Sequence, residues 1–323
     1  MARTLEPVTS ALTAPEGPGV TDVGVADVAR AVDLLAAGPF VALTGAGIST
    51  DSGIPDYRGP GAPARRPMTY QVLVSGRAAQ QRYWARAHVG WTRMEGARPN
   101  AGHHAVAQLE AHGALDLLVT QNVDGLHESA GSQRMCALHG RIADVVCLSC
   151  GQQSSRAQLH ERLSDLNPGY AERHAGAEAR PDGDVELDDT AGFAVPGCTF
   201  CGGVLKPDVV FFGENVPKPR VQRALDAVER ASALLVVGSS LTVMSGLRFV
   251  RHAAKLGVPA VIVNRGATRG DDLATVRLDA GCSQFLTGLV GALASGPATG
   301  GAAAQDTSRR TDSSTPSPAS ASA

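Results

Sequence analysis

Lysine is nearly missing from this chain. Of 29 basic residues in 323, only Lys206, Lys218 and Lys255 are lysine. Arginine carries the rest of the positive charge, and 31 acidic residues bring the formal net charge to −2. So even a balance offers no general basic field for nucleic acid or an anionic membrane. Long apolar runs are also absent: none approaches the roughly 20 residues that cross a bilayer. The opening stretch, MARTLEPVTSALTAPEGPGV, has no apolar block of the kind a secretory leader needs, and its one arginine and two glutamates make it a poor transit peptide. The expected compartment is the cytosol. There the six cysteines, Cys136, Cys147, Cys150, Cys198, Cys201 and Cys282, are for metal binding, catalysis or packing and not for a disulfide framework. Aromatic residues are few at 4%, but 43% hydrophobic content suffices for a substantial core.

Short apolar runs alternate with helical patterns between residues 25 and 295. FVALTG (40–45), LDLLVTQ (115–121), DVVFF (208–212), ALLVVGS (233–239) and PAVIVN (259–264) are unbroken, as strands covered on both faces of a parallel sheet must be. VADVARAVDLLAA (25–37), GHHAVAQLEAHG (102–113), RVQRALDAVERA (220–231) and MSGLRFVRHAAKLG (244–257) have helical period. The last stops on Lys255 and Gly257, as helix C-termini do. The alternation predicts an α/β fold: a doubly wound, parallel, Rossmann-like sheet with ligand loops at the carboxyl ends of its strands. Residues 141–205 break the rhythm with two cysteine pairs around a polar, Gly- and Asp-rich middle, and are expected to form a small inserted zinc-binding module. The sheet domain would then comprise 25–140 and 206–295. Residues 1–24 read as a loose N-terminal arm. Residues 296–323 are too poor in bulky apolar side chains to offset the entropy of ordering, and are expected to be a disordered tail.

The strand FVALTG runs into GAGIST (45–50), where small residues let backbone N–H groups approach a phosphate at a helix start. An ordinary tight turn would carry the same letters. What is missing says more. The dehydrogenase fingerprint wants Gly or Ala at its sixth position and an acid roughly 20 residues on. Here the sixth position is Thr50, and no Asp or Glu occurs from Tyr57 to Met94. A dinucleotide bound here is bound unlike a dehydrogenase cofactor. The pairs Cys147-x-x-Cys150 and Cys198-x-x-Cys201 offer four thiolates for a closed tetrahedral Zn²⁺ site. The 47 residues between them exceed the roughly 15–20 of common zinc ribbons, which implies a loop between two knuckles. A redox CxxC is the rival reading, but two such pairs flanked by Gly151, Gly197 and Gly202 favour zinc. With all four positions filled by protein, the metal would be structural.

GAGISTDSGIPDYRGP (45–60), TQNVDGLH (120–127), LHG (138–140), KPDVVFFGE (206–214), GSSL (238–241) and VNRG (263–266) follow one another in an order that resembles the sirtuin (Sir2) family over about residues 28–290. PDGDV (181–185), QRYWAR (81–86) and TRGDDLA (268–274) are most similar to its class II, mitochondrial-type members. The resemblance implies an NAD-dependent protein-lysine deacylase that releases nicotinamide and an O-acyl-ADP-ribose. Gly45, Ala46 and Gly47 would cradle the pyrophosphate. Asp56, Tyr57 and Arg58 would close over the nicotinamide ribose, Tyr57 standing where most members have Phe. Gln121, Asn122 and Asp124 would hold the ribose and carboxamide. Gly238, Ser239 and Ser240, with Asn264, Arg265 and Gly266, would hold the adenosine half, and Cys282 would lie near the adenine. His139 would accept a proton from a ribose hydroxyl, a task suited to a group that titrates near neutrality. The segment KPDVVFFGE would pair with the substrate through Val209, Val210, Phe211, Phe212 and Gly213, although its apolar content fits a core strand as well. Partners would be acyl-lysine proteins or peptides. Two alternatives stay open: mono-ADP-ribosylation of protein on the same scaffold, and a non-catalytic NAD sensor.

From Arg58 to Arg98 there are eight arginines and one acid, Glu95. Tyr83 and Arg86 in this stretch resemble the acyl-pocket pair of class III desuccinylating sirtuins. Such a pair would favour acidic acyl groups through a charge-assisted bond. A solvated helix face would carry the same residues.

Overall fold

The computed structural model describes residues 24–59, 67–178 and 180–295. The expected tail, and all but the last residue of the expected N-terminal arm, lie outside them. Strands β1 (Phe40–Thr44), β2 (Leu115–Thr120), β3 (Met135–Ala137), β4 (Gly140–Cys147), β5 (Gln153–Ser155), β6 (Leu205–Val209), β7 (Leu234–Val237), β8 (Ala260–Val263) and β9 (Val276–Leu278) form two sheets. The larger is wholly parallel, in the order β3-β2-β1-β7-β8-β9. Every residue of β1, β7 and β8 is buried, as a sheet covered on both faces requires. Helices Val25–Ala36, Ala101–Ala111 and Cys282–Ala294 close one face around Phe40, Leu118, Leu235 and Phe285. Helices Lys218–Arg230 and Met244–Leu256 close the other around Leu43, Val119, Val236 and Phe249. The chain therefore runs outward from β1 in one direction, then returns to β7 on its other side. The switch point lies between β1 and β7, and there the turn after each strand is rich in glycine.

One strand differs from its expected place. The apolar run 208–212 reads in sequence like the parallel strands, but β6 pairs antiparallel with β4 in a small sheet of order β5-β4-β6. Pro207 has no N–H to give to a second ladder, so the strand belongs at a sheet edge. The small sheet thus reaches Val209, beyond the expected boundary at 205. The outermost strands β3 and β9 have three residues each, too few to show a period in the sequence.

The arginine-rich stretch includes one long helix, Arg77–Gly96, which exposes Arg77, Arg82 and Arg93 on one side and buries the other. Tyr83, Trp84, Ala87, His88 and Trp91 are buried against the small sheet and helix Arg156–Leu166. Trp84 donates from Nε1 to the Leu205 carbonyl at 3.1 Å. Arg156 is buried between the rings of Trp84 and Trp91, 5.2 and 4.9 Å from their centroids, and donates to the Ala87 carbonyl at 2.9 Å. This aromatic and cationic layer fixes the small sheet to the helix that reaches toward the switch point.

Candidate functional site

The turns after β1 and β7 touch at the switch point. Gly47 N donates to the Gly238 carbonyl at 2.8 Å. A Cβ on Gly45 would lie 2.7 Å from Gly238 O, and one on Gly47 would lie 2.8 Å from Gly238 Cα. Only glycine lets these backbones cross this closely, and the crossing is tied by the Gly45 and Gly47 N–H groups, which donate to the Val237 and Gly238 carbonyls at 3.1 and 2.8 Å. Gly238 itself has a φ of 64°, in the left-handed region. Three residues on, Leu241 holds a φ of 53° without being glycine, with its amide donating to Ser239 Oγ at 3.3 Å. Strained backbone of this kind persists where the surroundings enforce it, and functional loops are such places.

A cavity of about 420 Å³ opens over this crossing. Its wall includes Gly45, Ala46, Gly47, Asp56, Tyr57, Arg58, Gln121, Asn122, Asp124, His139, Gly238, Ser239, Ser240, Asn264 and Arg265. At its other end stand Tyr83 and the segment Val209, Val210, Phe211, Phe212 and Gly213. Three expected residues are not on the wall. Cys282 is buried beneath it, its thiol pushed up to about 12 by burial, with Sγ 3.0 Å from where a Cβ of Gly238 would sit. Gly266 supports the wall through its carbonyl, which accepts from Asn264 Nδ2 at 3.0 Å and Arg277 Nη2 at 2.9 Å. Arg86 is turned away from the cavity and bound elsewhere: its Nη2 lies 3.2 Å from Asp184 Oδ2, and its Nε donates to the Val185 carbonyl at 2.7 Å.

His139 lies between β3 and β4, level with the carboxyl ends of the parallel strands. Its Nδ1 is 2.8 Å from the Gln121 carbonyl, which can only accept, so Nδ1 carries the proton. Nε2 is therefore the basic atom, and the hydroxyl of Ser245 donates to it at 2.8 Å. Burial lowers the pKa of His139, the Gln121 bond opposes that shift, and Arg220 and Arg248 lower it further. The imidazole is held neutral, with its lone pair on the cavity side of the ring.

Behind the wall runs a polar chain. Asn122 Nδ2 donates to the Gly45 carbonyl at 3.1 Å and to Ser49 Oγ at 3.0 Å, and Ser49 donates to Asp124 Oδ2 at 2.8 Å. Burial raises the Asp124 pKa against the lowering bonds from the Leu126 amide and Ser49. Gln121 is fixed through Nε2, which donates to Ser239 Oγ at 2.8 Å and so links the β2 and β7 turns. Beneath these sit His103 and His127, their rings 4.8 Å apart. His103 Nδ1 accepts from Asn100 N at 3.3 Å, and His127 Nε2 contacts Thr44 Oγ1 at 3.0 Å. Both are fully buried, and burial lowers their pKa values to about 4 and about 3 respectively. Ser49, Ser245, Arg248 and Asp182 were not singled out in the sequence. Ser49 stands inside the GAGIST motif and Asp182 inside PDGDV, but Ser245 and Arg248 carry no local signal.

Across the small sheet, Cys147, Cys150, Cys198 and Cys201 present four Sγ atoms within 4.8 Å of one another. Cys147 to Cys201 is 3.5 Å and Cys150 to Cys198 is 3.8 Å. Tetrahedral Zn–S bonds of ~2.3 Å require sulfurs ~3.8 Å apart, so the set fits one zinc ion with no position left for water. It is a structural metal site. The sulfurs belong to turns that join β4 to β5 and lead into β6, away from the cavity wall.

Among the described residues no helix is long and apolar enough to cross a membrane. The profile of the Sir2 family matches residues 45–245. The NAD-dependent protein deacetylase 1 of Mycobacterium avium is 53% identical over 267 residues, 82% of this chain and 95% of that protein. The protein of the same name from Streptomyces coelicolor is 56% identical over 259 residues, 79% of this chain and 86% of its own. A Sir2 structure holding a p53 peptide and NAD+ superposes with a TM-score of 0.65 at 31% identity, covering 80% of this chain and 95% of that one. Another, from work on the mechanism and regulation of Sir2 enzymes, gives 0.67 at 28% identity over 83% of this chain and 98% of its own. With matching motifs at the ends of four parallel strands, a family profile over more than half its length and relatives this similar, the chain belongs to the Sir2 family.

Proposed function

We propose that this protein is an NAD-dependent protein-lysine deacetylase of the cytosol, of the class II, mitochondrial-type branch that PDGDV, QRYWAR and TRGDDLA resemble. The observation that carries the reading is His139. A neutral imidazole, its tautomer set by the Gln121 carbonyl, turns Nε2 toward a cavity that joins a glycine crossing to an extended chain segment. NAD, when bound, supplies the electrophilic ribose carbon and the hydroxyls that receive the acyl group. Gly45, Ala46 and Gly47 would lie against the pyrophosphate, the two glycines letting it approach the backbone closely, and Arg265 adds a positive charge to the same wall. Asn122 and Asp124 are held in place by Ser49 before any ligand arrives, which lowers the cost of ordering them.

An acyl-lysine peptide would lie along Val209–Gly213. Part of that backbone is already engaged: Val210 N donates to the His139 carbonyl at 2.8 Å, and the Phe212 carbonyl accepts from Tyr70 N at 2.9 Å. The first of these bonds ties the peptide segment directly to the backbone of the base, His139. His139 then takes a ribose proton on Nε2, with Ser245 keeping the ring oriented until a substrate hydroxyl replaces it. The products are nicotinamide, O-acyl-ADP-ribose and free lysine.

Acetyl-lysine peptide and NAD given to the purified protein should release nicotinamide in proportion to deacetylated peptide. His139→Ala should lower kcat by roughly 10²–10⁴-fold, the usual contribution of a positioned base, with zinc content and fold unchanged. The acid limb of the pH–rate profile should fall below the ordinary histidine value, because the burial that lowers the pKa of His139 keeps it a base in mild acid. A fully active His139→Ala enzyme would overturn the assignment. Radiolabelled ADP-ribose left on protein, with no small acylated product, would instead favour ADP-ribosylation.

A further inference from the structure

The end of the cavity beyond Phe211 is closed by a turn that belongs to neither sheet. Pro181 and Asp182 reach the wall beside Tyr83, whose ring meets that of Phe211 edge-on at 5.3 Å. The turn is held firmly. Arg180 N donates to the Asp184 carbonyl at 2.9 Å, Gly183 N donates to the Arg180 carbonyl at 3.2 Å, and Glu186 N donates to the Glu178 carbonyl at 3.0 Å. Gly183 has a φ of 74°, and a Cβ there would lie 2.6 Å from Ile142 Cδ1. Its carbonyl lies so close to the helix Arg77–Gly96 that a Cβ on Gly90 would come within 2.3 Å of it. A segment packed this tightly is a built wall.

The charges on this wall are unevenly answered. Arg86 stands one helical turn after Tyr83, and its guanidinium is taken by Asp184 at 3.2 Å and by the Val185 carbonyl at 2.7 Å. Arg180 contacts Asp184 at 3.8 Å and is paired with Glu186 as well. Asp182 makes no ion pair among the described residues. Oδ1 of Asp182 and Oδ1 of Asp184 are both buried without a hydrogen-bond partner. Burial, with Asp182 and Asp184 adding to it, raises the pKa values of the Tyr57 and Tyr83 phenols. Burial and the neighbouring Asp182 raise the Asp184 pKa to about 7, so this small volume already strains to hold two negative charges. Asp182 therefore stands on the wall with no cation paired to it, while Arg58, on the same wall, lies over the Tyr57 ring at 5.9 Å.

The geometry assigns the turn Pro181–Glu186 as the acyl-selecting wall: it holds Arg86 on Asp184, turns Asp182 to the cavity, and so admits neutral acyl-lysines and rejects those ending in a carboxylate. The inference rests on the reading of this cavity as the acyl-lysine site. It also reverses the preference that Tyr83 and Arg86 suggest in sequence, because the guanidinium that would receive an acidic acyl group is held away from the cavity by Asp184 and the Val185 carbonyl. Like charges brought together at a desolvated contact cost several kcal/mol, so discrimination of at least about tenfold is expected.

The test uses the full-length protein with NAD and one peptide carrying acetyl-, butyryl- or succinyl-lysine. Turnover is read as kcat/KM, and equilibrium binding of the fluorescent peptides is read in parallel. The wild type should favour acetyl and butyryl over succinyl by at least about tenfold in both readouts. Asp182→Asn and Asp184→Asn should each raise the succinyl-to-acetyl ratio severalfold. Adding Arg86→Ala to Asp184→Asn should remove that gain, since the gain depends on a released guanidinium. Zinc content and melting temperature show whether Asp184→Asn has folded, and Asp182→Asn serves where it has not. A wild type that accepts succinyl-lysine as well as acetyl-lysine, or a folded Asp182→Asn protein with an unchanged ratio, overturns the inference. Absence of turnover with every peptide would count against the deacetylase reading instead, and the order of binding would still decide the role of the wall.

Discussion

The buried histidines behind the site should make the protein acid-labile by an amount that can be assigned to one residue. His127 and His103 are neutral in the fold because burial lowers their pKa values, to about 3 and about 4, from an ordinary value of 6.5. Unfolding returns them to water, where the unfolded chain binds protons that the folded chain does not. Stability is then fully present above pH 6.5 and is lost as the pH falls from there toward the folded values. At pH 5 an exposed histidine is about 97% protonated and the buried one almost not at all. The linked loss between pH 7 and pH 5 is about 2 kcal/mol per histidine. It hardly changes whether the buried value is 3 or 4, because both lie below the pH of the experiment. Urea unfolding at the two pH values, for wild type and His127→Gln, gives the assay. The glutamine retains an amide that can meet Thr44 Oγ1, the partner of His127 at 3.0 Å. Acid also protonates zinc thiolates and other groups, but both proteins share those losses. The variant should therefore lose about 2 kcal/mol less than wild type on acidification. Parallel losses in the two proteins would refute the view that His127 is excluded from protonation by burial.

Two further outcomes follow from close contacts at the switch point and from the metal site. Gly47→Ala would place a Cβ 2.8 Å from Gly238 Cα, where no flexible side chain can yield; it should destabilise the fold by about 1–3 kcal/mol and raise the KM for NAD, both checked by denaturation and steady-state kinetics. Chelation, or Cys198→Ser, should remove one zinc per chain, measured by elemental analysis, and should lower the melting temperature with NAD binding affected only secondarily, since the four sulfurs are not on the cavity wall.

The sequence was most legible where local chemistry and global position say the same thing. The unbroken apolar runs at 40–44, 115–120, 234–237 and 260–263 are strands because a parallel sheet buries both faces, and the motif residues follow them because that is where such a sheet opens. The two CxxC pairs were legible because thiolate geometry needs no context beyond their convergence. Failures came where meaning depends on a distant partner. Arg86 in a Tyr-x-x-Arg spacing reads as a carboxylate receptor until Asp184, 98 positions away, is seen to hold it. The run 208–212 reads as a core strand until Pro207 and the ladder to β4 place it at an edge. Ser245 has no signal at all, since nothing local to a helix start predicts a bond to His139 across 106 residues.

The same distinction explains why the cofactor end and the acyl end of the cavity were read with different success. At the expected cofactor end the wall is backbone, and what the sequence must specify is glycine where two turns cross. Gly45, Gly47 and Gly238 do so through space that no Cβ could occupy. At the acyl end the recognising groups are side-chain charges, and their effect depends on which of them are already paired. A count of residues from Arg58 to Arg98 gives a strongly positive stretch, yet Arg86 is held by Asp184 and the unpaired Asp182 joins Arg58 and Tyr83 on the cavity wall. Net charge along a segment is a sum, whereas a pocket responds to the remainder after pairing, and that remainder is set only once helix Arg77–Gly96 and the turn Pro181–Glu186 are packed against each other through Gly90 and Gly183.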